Sequence, residues 1–536
     1  MKKYFNPVSI LYALTVLVSI LFIFSIFSTL SDYDYTVFFN SDTLYLPFLY
    51  KDLFINHMGV QGWHLNPSPN FFPDMVVYFI LMCLTKDFIV ASFLYPLLQY
   101  IVFLVLIIKL YQLVLKSHSV LFASFSNLIF LLFFLVTFYT HDFDFTFYLI
   151  STSYHMGAFL LSFLCIILTI KYLLAPNKSL LINISWISSL GIISDRIFVV
   201  MYCIPILCII LLFKKIYPFR KIKLILIINI SAFVLGAIIF ILIQNTYYIS
   251  IDRPYRIMDF KNARDSFHVL SGHLFYYMKY GTYTKGIIIA SVLSFLSVLY
   301  LFLAGIRKES QLSAFTIYCF IAIAYTLFVF FAPVINGSYT ASDSLRYNIY
   351  VFYISMLNIP LVIAYLLTRK SERRLFSMGI SGLLIICILS AFWIGFSKLS
   401  ISGLHKYFNY YPKKVEQIDK IAKEHQLFYG VGNYWSAKYI SMFSKCGVNI
   451  LPVFDDLHPY YHAYNKHYFF AKNNVFNFII LYKFVDKEKY KKILGSAGII
   501  ADSTQEIILL PKFRYDSTTL KPYLVHSTDL QKPGNQ

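Results

Sequence analysis

Long uncharged apolar runs recur along this chain, and the polar residues between them are sorted by sign. The first occupies 8 to 30, and others follow at 88 to 108, 119 to 139, 146 to 170, 179 to 194, 196 to 213, 222 to 244, 286 to 306, 311 to 333, 347 to 367 and 376 to 396. Apart from Arg196 and Lys223 at the heads of two of them, these runs carry no charge and are close to the length a helix needs to span hydrocarbon, so the pattern predicts about eleven transmembrane helices. The stretch from 179 to 213 reads as two short spans broken at Asp195 and Arg196. Lys2 and Lys3 precede the first run, and Lys109/Lys116, Lys171/Lys178, Lys214/Lys215/Arg220/Lys221/Lys223, Arg307/Lys308 and Arg369/Lys370/Arg373/Arg374 lie in alternate loops. By the positive-inside trend these clusters, and the N-terminus, are cytoplasmic. The first run is too long for a signal-peptide core and no small-residue cleavage pattern follows, so it reads as a retained anchor. The apolar segment 71 to 85 is short for a crossing, and a crossing there would put every later basic cluster outside; it reads as an interfacial or re-entrant helix.

Beyond 397 the pattern changes. Lys, Asn, Tyr and Pro rise, and helical and strand periodicities alternate: a helix at Lys413 to Glu424, a strand at Leu427 to Val431, a helix at Tyr434 to Lys445, strands at Val448 to Val453 and Phe476 to Leu481, a helix at Lys487 to Leu494 and a strand at Glu506 to Leu510. That alternation argues for a small α/β domain. The polar tail from Tyr515 reads as poorly ordered. The expected fold is therefore a membrane all-α domain over 1–396, with a long first outer loop at 31–74, followed by an extracytoplasmic α/β domain over 397–536.

Composition supports the bilayer and removes one alternative. Of 536 residues 58% are hydrophobic and 13% charged, which excludes an ordinary soluble globular protein. The formal charge of +20 would suggest nucleic acid in a soluble chain. Here the bases lie mainly in short loops and the C-terminal region, so the expected partner is a bilayer surface and no nucleic acid. Low Gly with abundant Ile, Lys, Phe, Tyr and Asn fits an AT-rich bacterial genome, hence a multi-pass protein of the bacterial inner membrane. Six of the seven cysteines fall in apolar runs, leaving only Cys446 in the C-terminal region and no disulfide framework there. There is no internal repeat, P-loop, GxGxxG or CxxC.

Ionisable residues at or in a bilayer are costly, so chemistry is sought where they meet the outer face. The first outer loop carries Asn40-Ser41-Asp42 and, further on, Trp63-His64-Leu65-Asn66-Pro67 through Asp74. Asp42 precedes an amphipathic run, Leu44 to Phe54, expected along the interface; its carboxylate would then serve as a base for an acceptor hydroxyl or simply cap that helix. His64 and Asp74 are substrate-binding candidates, and Asp74 reads equally as a first-turn helix acid. His141, Asp142 and Asp144, with His155 beyond, present imidazoles and carboxylates at one face. A divalent cation is the one cofactor they raise, although the spacing matches no defined metal motif and a hydrated acidic loop is the preferred reading. Asp195 and Arg196, adjacent at a break, do not face one another on a helix, so each needs another partner and Asp195 is a candidate to line a site. Arg253, Arg256, Arg264 and Arg346 run against the positive-inside trend, and a bound phosphate or lipid headgroups would rationalise them. In the C-terminal region, Tyr429-Gly430-Val431-Gly432-Asn433-Tyr434-Trp435 offers glycines for close approach of a ligand and Trp435 for stacking on a sugar.

The layout resembles the GT-C superfamily of membrane glycosyltransferases. The resemblance is carried by Asn40-Ser41-Asp42 in a long first loop, the Pro67 to Asp74 stretch, Ser194-Asp195 at a mid-chain break and Arg346-Tyr347 at the head of a late span. It implies transfer of a sugar, with inversion, from a polyprenyl-phosphate donor to a glycan, lipid or protein acceptor on the outer face. It gives Asp42 the role of base, and Arg346, with Arg253, Arg256 and Arg264, that of holding the donor phosphate. The chain departs from the family pattern in lacking a second acid beside Asp42 and in carrying Ile349 and Tyr350 where related chains often have proline.

Two other classes share these features in part. A transporter or flippase of lipid-linked sugars would more often show repeat symmetry and midplane charges. A polysaccharide polymerase or ligase would usually carry its large loop between late spans.

Overall fold

The computed structural model describes residues 7–115, 118–140, 144–152, 154–213, 219–244, 249–251, 260–308, 313–368, 373–471, 473–480, 499–502 and 507–525. The chain forms two compact units. One comprises Met1–Leu30, Asn70–Ile241 and Pro254–Tyr407; the other comprises Ser31–Pro69, Leu242–Arg253 and Phe408–Gln536. The division is not a single cut near 397, because most of the first loop folds with the C-terminal region.

The first unit is helical and multi-pass. Among the described residues eight helices are long and apolar enough to cross a membrane: Ile10–Ser28, Phe88–Val114, Ser119–Tyr139, Met156–Leu174, Lys223–Gln244, Tyr283–Ile306, Ala314–Ile335 and Ile349–Leu367. A ninth, Arg373–Lys398, meets the same test only together with the helix beyond its bend. The remaining apolar runs form shorter helices, Lys178–Ser194 and Val199–Ile209, and the weak segment is the short helix Phe71–Thr85. The run expected at 146 to 170 is two helices, Asp144–Ile150 and Met156–Leu174. Met156–Leu174 and Ile349–Leu367 are each 78% buried within the protein, whereas Lys223–Gln244 is 28% buried. The former pair is central, and the latter turns an apolar face outward, as a lipid-facing helix must.

Polar pairs between helices fix their register. Asn127 donates to Ser19 Oγ at 2.9 Å and accepts from the Tyr100 hydroxyl at 2.8 Å, joining three helices. Tyr318 donates to Asn358 Oδ1 at 2.7 Å, Tyr111 to the Leu357 carbonyl at 3.0 Å, and Thr169 meets Tyr202 at 2.8 Å. Each such bond is worth about 0.6 kcal/mol, so their value lies in specifying which helix faces which. Small residues permit close crossings: a Cβ on Gly403 would collide with the Ser28 carbonyl.

The second unit is a mixed sheet with flanking helices. Strands β1 (Trp63–Leu65), β2 (Ile249–Ile251), β3 (Tyr429–Gly432), β4 (Asn449–Pro452), β5 (Tyr464–Asn465), β6 (Phe476–Ile480), β7 (Ile499–Asp502), β8 (Ile507–Tyr515) and β9 (Pro522–Leu524) make two sheets. The larger runs β4-β3-β6-β8-β7, with β9 on β8. β3 lies parallel to both β4 and β6, and the crossover from β3 to β4 is the helix Tyr434–Phe443, a connection that parallel strands require. The chain between Tyr515 and Val525 is structured by β9, because Lys521 and Val525 bond back across the turn to Asp516 and Lys512. The expectation of a poorly ordered tail from 515 is corrected as far as Val525; the rest of that tail lies outside the described residues. The helix expected at Lys487 to Leu494 lies outside the described residues.

The first loop joins this unit through aromatic packing and a second sheet. β1 pairs with β2 in parallel and with β5 in antiparallel fashion, which makes Trp63 fully buried. Tyr35 stacks on Tyr410 with centroids 3.9 Å apart, and Phe48 packs against both Trp63 and Tyr464. The run after Asp42 is consequently not an interfacial amphipathic helix: every residue of Tyr45–Tyr50 is buried.

Its continuation, Lys51–Ile55, places Asp52 in the core. There Tyr468 donates to Asp52 Oδ1 at 2.6 Å and Asn56 donates to it at 3.3 Å. Burial lifts the carboxyl to about 6, against the opposing pull of those bonds and of the Lys51 charge. A raised acid favours the protonated folded state, so its contribution is full below about 3.8 and is lost as pH rises through about 6. The shift corresponds to about 3 kcal/mol at most. Thermal unfolding of the purified protein between pH 4 and 8 should show stability falling with pH in the wild type and a flatter profile in Asp52→Asn; equal slopes would remove Asp52 as the source.

Candidate functional site

In the membrane unit four interruptions of helical structure meet. The first is Asn70–Met75, where Asn70 is left-handed (φ 57°) and the Phe71–Met75 turn is wide. The second separates the helices Asp144–Ile150 and Met156–Leu174 and ends at His155 with φ 43°, a conformation uncommon for a residue with a side chain. The third is Asp195, extended at φ −153° between Lys178–Ser194 and the next helix. The fourth is the 3-10 turn Ser342–Tyr347 ahead of Ile349–Thr368.

Hydrogen bonds tie these interruptions to one another. Asn70 N donates to the Ser194 carbonyl at 3.1 Å, and Phe72 N donates to Ser194 Oγ at 2.9 Å. The Tyr350 hydroxyl donates to the Tyr154 carbonyl. Backbone groups freed by the breaks thus find partners inside the protein, the condition under which irregular chain is tolerated at membrane depth.

Four of the residues expected from sequence meet here. His155 Nδ1 lies 2.5 Å from Asp195 Oδ2, and their side chains are 14% and 3% exposed. Asp195 Oδ1 also accepts from Ile197 N at 3.2 Å. The neighbouring Arg196 turns away to lie over the Phe240 ring, 5.0 Å from its centroid, so the adjacent charges do take separate partners. Asp74 is buried, accepts the Tyr95 hydroxyl, and lies within electrostatic reach of Asp195 and His155. Gly157, at the start of the Met156–Leu174 helix, leaves room for it; a Cβ there would collide with the carboxylate. On the other side the His155 ring is 5.4 Å from that of Tyr347, over which the Arg346 guanidinium sits at 5.1 Å. Two carboxylates, an imidazole, phenols and a guanidinium are therefore gathered here, Asp74 joined to the His155–Asp195 pair through its field and the others through neighbouring rings. Such a set can hold and move a proton at the His155–Asp195 pair and can offer Arg346 to an anion.

Asp42 belongs to the second unit and is half-buried. The alternative reading of it as a helix cap does not hold: Leu44 occupies the cap position and makes no side-chain cap bond, and Asn40 Oδ1 takes the Asp42 and Thr43 amides at 2.9 and 3.0 Å. With the turn held by Asn40, the Asp42 carboxylate accepts the Tyr434 hydroxyl at 2.6 Å. Behind it Lys438, fully buried, donates to the Ser41 carbonyl at 3.0 Å and to the Tyr434 oxygen at 3.5 Å. His64 stacks on Tyr461 at 5.0 Å, and Trp435 is 56% exposed.

Other expected residues are placed differently. Arg264 is exposed on the Phe260–Tyr280 helix, 4.0 Å from Asp265. Arg253, Arg256, His141 and Asp142 lie outside the described residues, as does the Asp144 side chain. Among the described residues no three His, Cys, Asp or Glu side chains converge as metal ligands. The glycines of Tyr429–Gly432 do not open a path for a ligand, because the Phe478 ring fills the space above Gly430. Sequence reasoning missed Tyr95, Gly157 and Lys438, and marked Tyr434 only as part of an aromatic segment, not as a partner of Asp42. In a chain with 45 tyrosines no local signal distinguishes those that bind a carboxylate.

No protein-family model matches the chain, and no curated protein is significantly similar to it.

Gly157→Ala should force Asp74 and Tyr95 apart and cost about 1–3 kcal/mol, the usual range for overpacking. Thermal unfolding in detergent measures it; a variant as stable as the wild type would mean that the carboxylate is not held there.

Proposed function

We propose that this protein is a polyprenyl-phosphate-dependent membrane glycosyltransferase, acting on an acceptor at the outer face of a bacterial inner membrane. The observation that carries the reading is the series from His155 and Asp195 through Tyr347 to Arg346, with Asp74 in electrostatic reach, assembled where helices break inside a multi-pass unit. Buried ionisable groups at membrane depth are retained where function compensates their cost, and this set includes a guanidinium suited to a phosphate. The residues that carry the resemblance to the GT-C superfamily, Ser194-Asp195 and Arg346-Tyr347, are among those that meet. The full reading has eleven crossings, formed by the eight long helices, Arg373–Lys398 and the two short helices flanking Asp195, with the N-terminus cytoplasmic and the second unit outside.

In this scheme Arg346 neutralises the lipid-linked phosphate of the donor, while His155 and Asp195 bind polar groups of the sugar. Asp42 is the base that takes the proton of the acceptor hydroxyl as the new glycosidic bond forms and the bond to the phosphate breaks, with inversion at the anomeric carbon. A flippase would use the His155–Asp195 pair as a proton relay and would not need Asp42.

The test is transfer of labelled sugar from polyprenyl-phosphate donors in membranes containing the protein. Asp42→Asn, at normal abundance, should lower transfer by about 100-fold or more, the contribution typical of general base catalysis. Arg346→Ala should raise the donor KM while leaving the fold intact. Full transfer by Asp42→Asn would remove the base assignment, and lipid-linked sugar movement without transfer would favour the flippase.

A further inference from the structure

The parallel strands β3 and β4 end side by side, with Gly432 opposite Pro452. The residues after both strands are therefore delivered to one edge of the sheet. After β3 come Tyr434 and Trp435, opening the crossover helix, with rings 5.1 Å apart and edge-on. After β4 come Phe454 and a tight loop that folds Tyr460 back: Phe454 N bonds to the His458 carbonyl at 2.9 Å, and Tyr460 N bonds to the Pro452 carbonyl at 2.9 Å. Tyr460 then packs 4.8 Å from Phe454 and 5.5 Å from Tyr434, and His462 lies 5.5 Å from Tyr434. The rim formed in this way is aromatic, yet it is not closed over, since Trp435 and Phe454 are 56% and 50% exposed.

A strong acceptor sits beside it. Tyr434 is both the centre of this ring cluster and the donor to Asp42 at 2.6 Å. Its position is fixed twice more, by Ser41 Oγ donating to the Tyr434 carbonyl at 2.5 Å and by the Lys438 ammonium 4.8 Å above its ring. Exposed flat rings next to a held carboxylate match one class of ligand well. A pyranose presents an apolar face of C–H groups for stacking and a rim of hydroxyls for an acid to accept.

We infer that the edge where β3 and β4 end is a carbohydrate-binding site, in which Trp435 stacks on a sugar ring while Asp42 and Tyr434 receive its hydroxyls. The inference rests on the glycosyl-transfer reading and adds to it the acceptor class, a glycan end. Charge argues against the other surface that exposed Trp and Phe can serve, a lipid headgroup layer. Asp455 and Asp456 are exposed directly after Phe454, Asp456 lying 3.1 Å from His458 Nδ1, and these exposed carboxylates would be repelled by an anionic bilayer.

The experiment uses the full chain in detergent and, as probes, the methyl glycosides of glucose, galactose, mannose, rhamnose and N-acetylglucosamine, with binding read from the sugar protons by saturation-transfer NMR. At least one glycoside should bind saturably. Trp435→Ala should weaken it about tenfold or more, Trp435→Phe should retain most of the affinity, and Asp42→Asn should weaken it by a similar factor, as loss of a charged hydrogen-bond partner does. In parallel, tryptophan emission of the wild type and of Trp435→Phe is compared in vesicles of brominated phosphatidylglycerol. Absence of binding by every glycoside, or binding unchanged in Trp435→Ala, overturns the site; quenching of Trp435 by brominated lipid without glycoside binding reassigns it to headgroup contact. Asp195→Asn separates the two readings: transfer lost with glycoside binding kept supports this site independently of the donor assignment. Transfer kept in every variant with glycoside binding lost in Trp435→Ala would leave the sugar site standing and remove its role as acceptor site.

Discussion

A helix in hydrocarbon cannot be interrupted unless the backbone groups it frees are paired elsewhere in the protein. In the membrane unit four interruptions satisfy one another: Ser194 takes two amides from the Asn70–Phe72 turn, and Tyr350 reaches across to Tyr154. The same pairing brings Asp74, His155, Asp195 and Tyr347 to one place, because each stands at a break or within a residue or two of one. The cost of irregular chain and the cost of buried charge are thus met by a single arrangement. The left-handed His155 is part of that arrangement, since it aims the imidazole at Asp195.

The second unit solves a different problem. Its sheet is small, and much of its stability must come from rings supplied by three distant stretches of chain. Trp63 is buried because β1 is flanked by strands that lie almost two hundred and four hundred residues further on in the sequence, at Ile249–Ile251 and Tyr464–Asn465. Asp52 is the cost of that packing, a carboxyl enclosed with two donors and a raised proton affinity. Asp42, by contrast, keeps an edge position, where Asn40 shapes the turn, Tyr434 bonds the carboxylate and Lys438 anchors the Ser41 carbonyl behind it.

Much of this was legible in the sequence and some was not. Apolar periodicity located the helices to within a few residues, since chain in lipid has few alternatives, and it located the break at Asp195–Arg196 from charge alone. It could not find the break between the helices Asp144–Ile150 and Met156–Leu174, where the sequence is apolar enough to read as continuous helix. In the C-terminal region the alternation of short periodic segments gave β3, β4, β6, the start of β8 and the helices Lys413–His425 and Tyr434–Phe443 near their observed bounds, but not β5, β7 or β9, short strands whose pairing depends on partners elsewhere in the chain. The first loop misled for a related reason. Leu44 to Phe54 has the pattern of an interfacial helix, and only the rings and strands brought from elsewhere in the chain bury every residue of Tyr45–Tyr50. Residues that meet a carboxylate, such as Tyr95 and Tyr434, carry no mark in a sequence so rich in tyrosine. Asp195 and Arg346 stood out because Asp195 breaks an otherwise apolar stretch and Arg346 is a base in a loop that the sign pattern places outside.

The proposed function puts the lipid-linked phosphate of the donor at Arg346, next to Tyr347 and the His155–Asp195 pair. Its most direct test is photolabelling of the protein in membranes with a polyprenyl phosphate carrying a photoreactive group near the phosphate, followed by mapping of the labelled peptides. The account predicts label in the segments around His155, Asp195 and Arg346, displaced by unlabelled polyprenyl phosphate. Label confined to outward-facing helices such as Lys223–Gln244, and not displaced, would contradict it.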